Sequence, residues 1–214
     1  MNEILSKKKY WETIYQKKST KELGWFQEVP TVSLDLIKSA EIHKNAKIID
    51  VGGGDSLLVD RLLELGFSNV TVLDLSEKAI ERAKNRLGSK GSEVNWICSD
   101  IRDFNTDERF DLWHDRACFH FLIDDTDIQT YTSKLNQFLG EKGTLVLGTF
   151  SKTGPKKCSG LPVQQYDNSS LAEKFKKDFY VEKNIEATHI TPSLASQNYV
   201  FCHLKKNNLI NLKL

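Results

Sequence analysis

Short apolar segments alternate with helix-length segments through the middle of the chain, and this rhythm restricts the fold more than any other feature. The apolar runs between turn residues predict strands at 47–51, 69–73, 93–98, 110–114 and 143–150. The segments between them predict helices at 56–65, 76–87 and 127–139. Strands that alternate with single helices are typical of right-handed crossovers and a parallel sheet.

The rhythm changes after Phe150, where a loop rich in Gly and Pro precedes a predicted helix at 168–177. Two long β-like runs follow at 179–189 and 197–205. Because these runs are adjacent along the chain, they favour an antiparallel pair at the sheet edge. We therefore expect an α/β fold with a seven-stranded, mostly parallel sheet, helices on both faces and a C-terminal antiparallel hairpin.

The length of 214 residues suits one domain. Predicted helices at 3–18 and 31–41 precede the first strand. We expect residues 1–206 to form a single domain whose N-terminal part (1–45) is a helical cap. Residues 207–214 are expected to form a C-terminal tail.

Charge and hydropathy exclude several classes of protein. The 30 Lys and Arg residues nearly balance the 29 Asp and Glu residues, and the formal charge of +1 provides no general attraction to nucleic acid. No apolar run approaches the roughly 20 residues that cross a bilayer, and residues 1–9 are too polar for a secretory signal. These features favour a cytoplasmic protein without a membrane or nucleic-acid partner. The four cysteines lack CxxC spacing and are expected to be free thiols.

Three glycines follow the first predicted strand, in the segment Asp50-Val51-Gly52-Gly53-Gly54-Asp55-Ser56. In an open parallel sheet a ligand binds beyond the strand ends, where a glycine turn lets the backbone approach it and the next helix offers free N–H groups. The dinucleotide fingerprint is broken because Leu57 replaces its third glycine, and no lysine follows as a P-loop requires. The turn therefore predicts a nucleoside-bearing ligand without a pyrophosphate, with contacts at Asp50, Gly52, Gly53, Gly54 and Ser56.

Carboxylates also stand at the ends of the next two strands. Asp74 lies 22 residues after Gly52, and a carboxylate there can accept both ribose hydroxyls. Asp74 could instead cap the following helix, but Ser76 is at least as well placed to do so. Asp100 can accept from an adenine amine, with Ile101 beside the ring, although a helix cap or loop role is equally compatible with its position. Leu75, next to Asp74, completes this group of expected contacts.

This series of strand ends resembles the class I S-adenosylmethionine-dependent methyltransferases, whose first motif matches 50–54 and whose second and third motifs match Asp74 and Asp100. The resemblance implies a Rossmann-like sheet, S-adenosylmethionine as methyl donor and S-adenosylhomocysteine as product. A closer resemblance, through Tyr10-Trp11, Trp25-Phe26 and 52–56, is to the methyltransferase-like group of elongation-factor and citrate-synthase lysine methyltransferases, with their YW…W[FY]…GCGNS pattern. It implies that Trp11, Tyr15 and Trp25 wall the cofactor site, although such aromatic residues also pack a helix onto a sheet.

The fourth predicted strand is expected to end beside the methyl group of the donor. Methyl transfer needs an aligned acceptor, exclusion of water and, for some acceptors, a base. The lysine methyltransferases of the similar group carry D-K-G-T-[FLW]-D-A at this place, where this chain has Asp115-Arg116-Ala117-Cys118-Phe119-His120-Phe121. The candidate catalytic residues are therefore Asp115, Arg116, His114 and His120, and Asp115 is also a candidate cofactor contact.

The methyl acceptor is left open by the sequence. The resemblance implies a protein lysine, but His120 replaces the second aspartate of the pattern, and a basic segment suits an acidic small molecule at least as well. The chain could also be a non-catalytic S-adenosylmethionine-binding protein or a nicotinamide-dependent oxidoreductase, the latter disfavoured by Leu57. No metal is expected, because the spacing of His114, Cys118 and His120 matches no standard zinc site. Fold position alone also suggests that the loop at Lys156 and Cys158, and hairpin residues His189 and Gln197, face the acceptor.

Overall fold

The computed structural model describes residues 3–207, so all but the first residue of the tail expected at 207–214 lies outside the described part of the chain. The helices are α1 (Glu3–Lys17), α2 (Thr31–Ser39), α3 (Leu58–Glu64), α4 (Glu77–Leu87), α5 (Asp125–Phe138) and α6 (Asn168–Phe175). The strands are β1 (Ile48–Val51), β2 (Val70–Asp74), β3 (Val94–Cys98), β4 (Phe110–Arg116), β5 (Leu139–Phe150), β6 (Lys157–Cys158), β7 (Leu161–Pro162), β8 (Phe179–Ile190) and β9 (Ser196–Lys206). Within 3–207, no helix combines the length and the apolar composition needed to cross a membrane.

Seven strands form one sheet in the order β3-β2-β1-β4-β5-β9-β8. The first five are parallel to their neighbours, whereas β9 runs antiparallel to both β5 and β8. The predicted α/β fold and its C-terminal hairpin are therefore confirmed. The direction of winding reverses between β1 and β4, and in such sheets a crevice opens there beyond the carboxyl ends of the strands.

Two details of the topology are not predicted by the sequence pattern. Strand β9, although it is last in the chain, lies between β5 and the edge strand β8. The loop after β5 also contains a two-stranded sheet made by β6 and β7, which is too short for a periodic pattern to reveal. This small hairpin contributes Cys158 to the site described below.

The sheet is covered by helices on both faces because successive side chains of a strand point in opposite directions. In β5, Leu145 and Leu147 belong to the core that includes side chains of α5 and α6. Val146 and Phe150 belong to the other core, with side chains of α2 and α3. Strand β5 is therefore apolar throughout this stretch, as expected for a strand buried on both faces.

Helix α1 is anchored on two sides. The Glu12 carboxylate accepts hydrogen bonds from the backbone N–H groups of Glu77 (2.7 Å) and Lys78 (3.3 Å), at the start of α4. The first N–H groups of a helix have no partner within it and favour a negative charge, so Glu12 acts as a cap supplied by another helix. On the other side, the Tyr10 hydroxyl donates to the carbonyl of Ser159, between β6 and β7. Helix α1 thus bridges α4 and the small hairpin.

The anchoring role of Glu12 predicts a local loss of stability in Glu12→Ala. We expect the free energy of unfolding to fall by about 1 kcal/mol, as for other lost caps, and amide hydrogen exchange to accelerate within α1. Thr13→Ala is the control, because it removes only a bond within α1, from Thr13 Oγ1 to the Lys9 carbonyl (2.8 Å). Unchanged exchange in α1 of the Glu12 variant would show that this cap does not hold the helix.

Candidate functional site

A cleft opens where the C-terminal ends of β1 to β4 face α1. It encloses a cavity of about 130 Å³. Many of the residues singled out from the sequence line it, namely Trp11, Tyr15, Trp25, Gly52, Asp74, Leu75, Asp100, Ile101 and Arg116. The others do not, namely Asp50, Gly53, Gly54, Ser56, His114, Asp115, His120, Lys156, His189 and Gln197.

The glycine turn is required by the protein's own packing. Gly52 and Gly54 have φ values of 68° and 55°, a backbone conformation that favours glycine. A Cβ on Gly52 would stand 2.6 Å from Cys118 Cβ, and one on Gly54 would stand 2.5 Å from the Tyr15 hydroxyl. Glycine is therefore required here even without a ligand. Cys118, after β4, crowds Gly52, and Tyr15, in α1, crowds Gly54.

Two polar residues of the turn face away from the cleft. Asp50 Oδ1 lies 2.7 Å from His114 Nδ1, so this carboxylate is used inside the protein. Ser56 Oγ accepts from the backbone N–H of Leu58 (3.2 Å) at the start of α3. Both side chains therefore have partners within the fold, and the expected ligand contacts of Asp50 and Ser56 remain predictions.

The end of β2 brings Asp74 to the cleft wall. Ser76 caps α4 by accepting from the backbone N–H of Ala79 (3.2 Å), as expected, and Asp74 lines the cleft. Asp74 Oδ1 accepts from the backbone N–H of Ser76 (2.8 Å). Burial, together with the nearby carboxylates of Asp50 and Asp55, raises the pKa of Asp74 to about 7. Asp74 is thus a carboxyl group whose charge a bound hydroxyl would stabilise.

The end of β3 carries an ion pair that the sequence reasoning missed. Arg102 binds Asp100 through Nε to Oδ1 (2.9 Å) and Nη2 to Oδ2 (2.8 Å), and binds Asp127 of α5 through Nη1 (2.8 Å). Although burial opposes it, this pairing holds the pKa of Asp100 below its usual value. Asp100 therefore lines the cleft as a carboxylate engaged by Arg102, not as a free acceptor. The sequence feature that could have revealed this ion pair is Arg102, two residues after the strand-end acid Asp100.

An aromatic wall closes the N-terminal side of the cleft. Trp11 and Tyr15, one helical turn apart, lie on the same face of α1. The Trp11 ring stands edge-on to Trp25 at 5.8 Å and to Phe121 at 5.3 Å, and Tyr15 stands 6.0 Å from Trp25. These rings both pack on one another and line the cleft, so the two interpretations of the sequence are compatible. Lys7, on the same face of α1, is a further lining residue that the four-residue spacing could have revealed.

Asp115 is a structural anchor and not part of the cleft surface. Its Oδ1 accepts from the backbone N–H groups of Cys118 (3.0 Å) and Phe119 (3.1 Å), and its Oδ2 accepts from the Tyr131 hydroxyl (2.9 Å). The side chain is fully buried, and burial raises its pKa to about 6. Its acceptor atoms therefore hold the turn after β4, and the expected role of Asp115 in catalysis and cofactor contact remains a prediction.

Both candidate histidines are also buried behind the cleft. His114 Nδ1 is held by Asp50, and its Nε2 lies 2.9 Å from the Ser33 hydroxyl of α2. His120 Nδ1 accepts from the backbone N–H of Phe150 (3.3 Å), and burial lowers the pKa of His120 to about 3. Neither ring lines the cleft, and the expectation that His114 and His120 act on a substrate remains a prediction. The sequence could not reveal these partners, which come from distant segments.

Arg116 is the one candidate catalytic residue that lines the cleft. Its Nη1 donates to the Trp25 carbonyl (2.9 Å), and its guanidinium lies 5.1 Å from the centre of the Tyr199 ring. Its Nε and Nη2 are buried and have no hydrogen-bond partner among the described residues. This edge of the guanidinium has the fork geometry that binds a carboxylate through two parallel hydrogen bonds.

Two cysteines complete the wall near Arg116. Cys118 follows β4 and Cys158 comes from the small hairpin, and both side chains line the cleft as free thiols. Burial raises the pKa of each thiol, so they contribute apolar, protonated surface. Next to Arg116, Ala117 has a φ of 68°, which is uncommon for a residue with a Cβ. The backbone of the turn after β4 is therefore strained at Ala117, directly next to Arg116.

Comparisons with known proteins agree with this geometry. The model of a methyltransferase domain family matches residues 48–143, a range that contains the glycine turn, both strand-end acids and the end of β4. An uncharacterised methyltransferase of Schizosaccharomyces pombe is 29% identical over 121 residues, covering 56% of this chain and 81% of that protein. EEF1A lysine methyltransferase 2 of Danio rerio is 30% identical over 125 residues, covering 54% of each protein.

Solved structures share the fold. One is the 1,6-didemethyltoxoflavin-N1-methyltransferase of Burkholderia thailandensis, determined with bound 1,6-didemethyltoxoflavin and S-adenosylhomocysteine. It superposes with a TM-score of 0.69 and 18% identity, covering 96% of this chain and 86% of that one. The architecture is therefore similar over almost the whole chain, including the C-terminal hairpin.

The structural role of Asp115 predicts that Asp115→Asn lowers the free energy of unfolding by about 1–3 kcal/mol, because the amide nitrogen would face a buried donor. Tyr131→Phe, which removes one of the three donor groups, should cost less. Urea denaturation at pH 7.5 measures both. An Asp115→Asn protein as stable as the wild type, but with impaired turnover, would return Asp115 to a role in the chemistry.

Proposed function

Since this chain is a class I S-adenosylmethionine-dependent methyltransferase, we propose that its methyl acceptor is a small molecule with an anionic group and not a protein lysine. The observation that carries the proposal is the Arg116 guanidinium, which lines the cleft with Nε and Nη2 buried and unpartnered among the described residues. A buried donor without a partner is costly. A carboxylate or similar oxyanion would satisfy both N–H groups at once.

The cleft residues fit the methyl donor. Asp74 offers a carboxyl group for ribose hydroxyls, and the Asp100–Arg102 pair with Ile101 borders the expected adenine position. When bound, S-adenosylmethionine supplies an electrophilic methyl group on a sulfonium sulfur and leaves as S-adenosylhomocysteine. The aromatic wall at Trp11 would exclude water from that methyl group, which favours transfer to a positioned acceptor.

A lysine acceptor is poorly served by the charges near Arg116. A lysine ammonium needs carboxylates to hold it, and the acids of β1 and β4 on either side of the sheet crevice are already used. Asp115 holds the turn after β4, and Asp50 holds His114. The permanent positive charge of Arg116 would in addition repel an ammonium group. The same charge would attract an anionic acceptor.

The relatives include both kinds of acceptor. The zebrafish relative is named for a lysine of EEF1A, whereas the Burkholderia structure holds a small molecule beside S-adenosylhomocysteine. The Arg116 environment supports the second class for this chain. Because its two free nitrogens are shielded from solvent, an oxyanion bound there would shed water, and the pairing would be strengthened.

Asp74 predicts a pH dependence of donor binding. Ribose hydroxyls donate best to the carboxylate form, and the raised pKa of about 7 leaves the free protein largely protonated below that pH. Affinity for S-adenosylhomocysteine should therefore rise with pH through 7 and level off above it. Asp74→Asn should bind roughly tenfold more weakly at pH 8 and lose this dependence. Calorimetry at pH 6, 7 and 8 measures both.

The control for this experiment is Asp103→Asn, an exposed acid near the same sheet edge that does not line the cleft. It should behave as the wild type at each pH. Flat wild-type affinity between pH 6 and 8, or a slope that persists in Asp74→Asn, would mean that another group binds the ribose.

The acceptor proposal predicts where a labelled methyl group goes. With tritiated S-adenosylmethionine and a cell extract divided by ultrafiltration, label should enter the small-molecule fraction and be retained on an anion exchanger. Arg116→Gln should raise the acceptor KM by about 10- to 100-fold, the loss of a charge-assisted bidentate pair, while affinity for S-adenosylhomocysteine changes little.

Arg109→Gln serves as the control, because Arg109 is exposed and its contact to Glu141 is long, at 4.0 Å. Label found in protein lysines would refute the proposal. An Arg116→Gln protein that loses acceptor and S-adenosylhomocysteine affinity equally would assign Arg116 to the donor site.

A further inference from the structure

Arg116 belongs to a larger polar corner on one face of the sheet. Arg116 of β4 pairs with Gly148 of β5, which in turn pairs with Phe201 of β9. Gly148 has no side chain, and the Phe201 ring lies where its Cβ would stand. Tyr199 and Gln197 lie two and four residues before Phe201 in β9, so their side chains project from the same face of the sheet as Phe201. Tyr199 stacks on Phe201, and the Arg116 guanidinium reaches across to lie 5.1 Å from the centre of the Tyr199 ring.

The same corner contains further polar atoms without partners among the described residues. The Tyr199 hydroxyl belongs to a side chain that is only 1% exposed, and it forms no hydrogen bond. The Gln197 Oε1 atom is also buried and unpartnered. Such atoms also occur elsewhere among the described residues, for example in His120 and Tyr166, but four of them belong to this corner. Each needs a partner from outside the fold, such as a ligand or an ordered water. The cofactor and catalytic roles assigned above use neither Tyr199 nor Gln197.

The segment at Gly24 and Trp25 covers this corner. The Gly24 carbonyl lies 2.9 Å from His189 Nε2, and the Trp25 carbonyl accepts from Arg116 Nη1. His189 stands directly opposite Gln197 in the β8–β9 ladder. Arg116 is the side chain of this corner that also lines the cleft, and the corner is bounded by the N-terminal segment on one side and by the C-terminal hairpin on the other.

We propose that Tyr199 and Gln197 determine acceptor specificity, and that the acceptor is a hydroxycarboxylic acid. This proposal rests on the proposed function. Arg116 and the Tyr199 hydroxyl donate hydrogen bonds to the carboxylate of the acceptor. The Gln197 carbonyl oxygen accepts from the neighbouring hydroxyl of the acceptor. One carboxylate and one hydroxyl together satisfy every unpartnered atom of Arg116, Tyr199 and Gln197.

The charges in the corner favour a hydroxyl over an ammonium beside the carboxylate. Burial raises the pKa of Tyr199 to about 12, so its hydroxyl stays protonated and can donate. Burial and the Arg116 charge lower the pKa of His189, which stays neutral. Of the four side chains that form the corner (Arg116, His189, Gln197 and Tyr199), Arg116 alone is then charged, and an amino acid's ammonium would meet repulsion with no acid among them to offset it.

Matched pairs of acids test the proposal by calorimetry on the enzyme saturated with S-adenosylhomocysteine. The pairs are 2-hydroxybenzoate with benzoate, lactate with propionate, and 3-phenyllactate with 3-phenylpropionate. In the wild type, at least one hydroxy acid should bind about tenfold more tightly than its parent acid. Tyr199→Phe and Gln197→Leu should each reduce that preference, whereas Arg116→Gln should abolish binding of both members of the pair.

Tyr180→Phe, on an exposed tyrosine of β8, is the matched control and should keep the preference. Thermal unfolding separates folding defects, since Tyr199→Phe removes a hydroxyl without a partner and should not lower stability. If acids bind through Arg116 but Tyr199→Phe and Gln197→Leu keep the wild-type preference, only the specificity proposal is overturned. If no acid binds, or binding ignores Arg116→Gln, the proposed function is overturned as well.

Discussion

The buried carboxylate of Asp115 is the interaction on which the rest of the cleft depends. By accepting from N–H groups of the turn after β4 and from Tyr131, it fixes the path of the chain past the strand end. That path places Cys118 against Gly52, so tightly that a Cβ on the glycine would stand 2.6 Å away. It also holds Ala117 at a φ of 68°, a conformation that costs a non-glycine residue roughly 1–2 kcal/mol. The turn after β1 and the turn after β4 therefore hold each other in one conformation.

The parts of the fold that could be predicted are those encoded over short stretches of sequence. Apolar runs of strand length, separated by single helices, led to the parallel sheet, and Gly52 and Asp74 were recognised because they follow the ends of such runs. Ser76 was correctly separated from Asp74 because a helix cap is decided by residues within one turn. What the pattern did not contain was the position of β9 inside the sheet, since pairing between distant strands leaves no local signal.

Three candidate site residues that do not line the cleft have one property in common. Asp115, His114 and His120 are polar residues at a strand end, which predicts a place in the site, but each has a partner from a distant segment. Tyr131 lies 16 residues beyond Asp115, and Ser33 lies 81 residues before His114. A polar residue near the end of a strand is therefore informative only once its partners are known. His114 and Asp115 are satisfied in this way, whereas His120 Nε2 is buried without a partner among the described residues.

Arg116 differs from His114 and Asp115, and this difference is the basis of the proposed function. His114 and Asp115 of β4 are satisfied by the fold, whereas Arg116, which lines the cleft, keeps Nε and Nη2 without a partner among the described residues. A fold that can supply Asp50 to His114 and Tyr131 to Asp115 does not leave a guanidinium edge unpaired for lack of polar residues. In the proposed function this edge binds an oxyanion of the acceptor, which would offset the cost of a buried, unpaired charged donor.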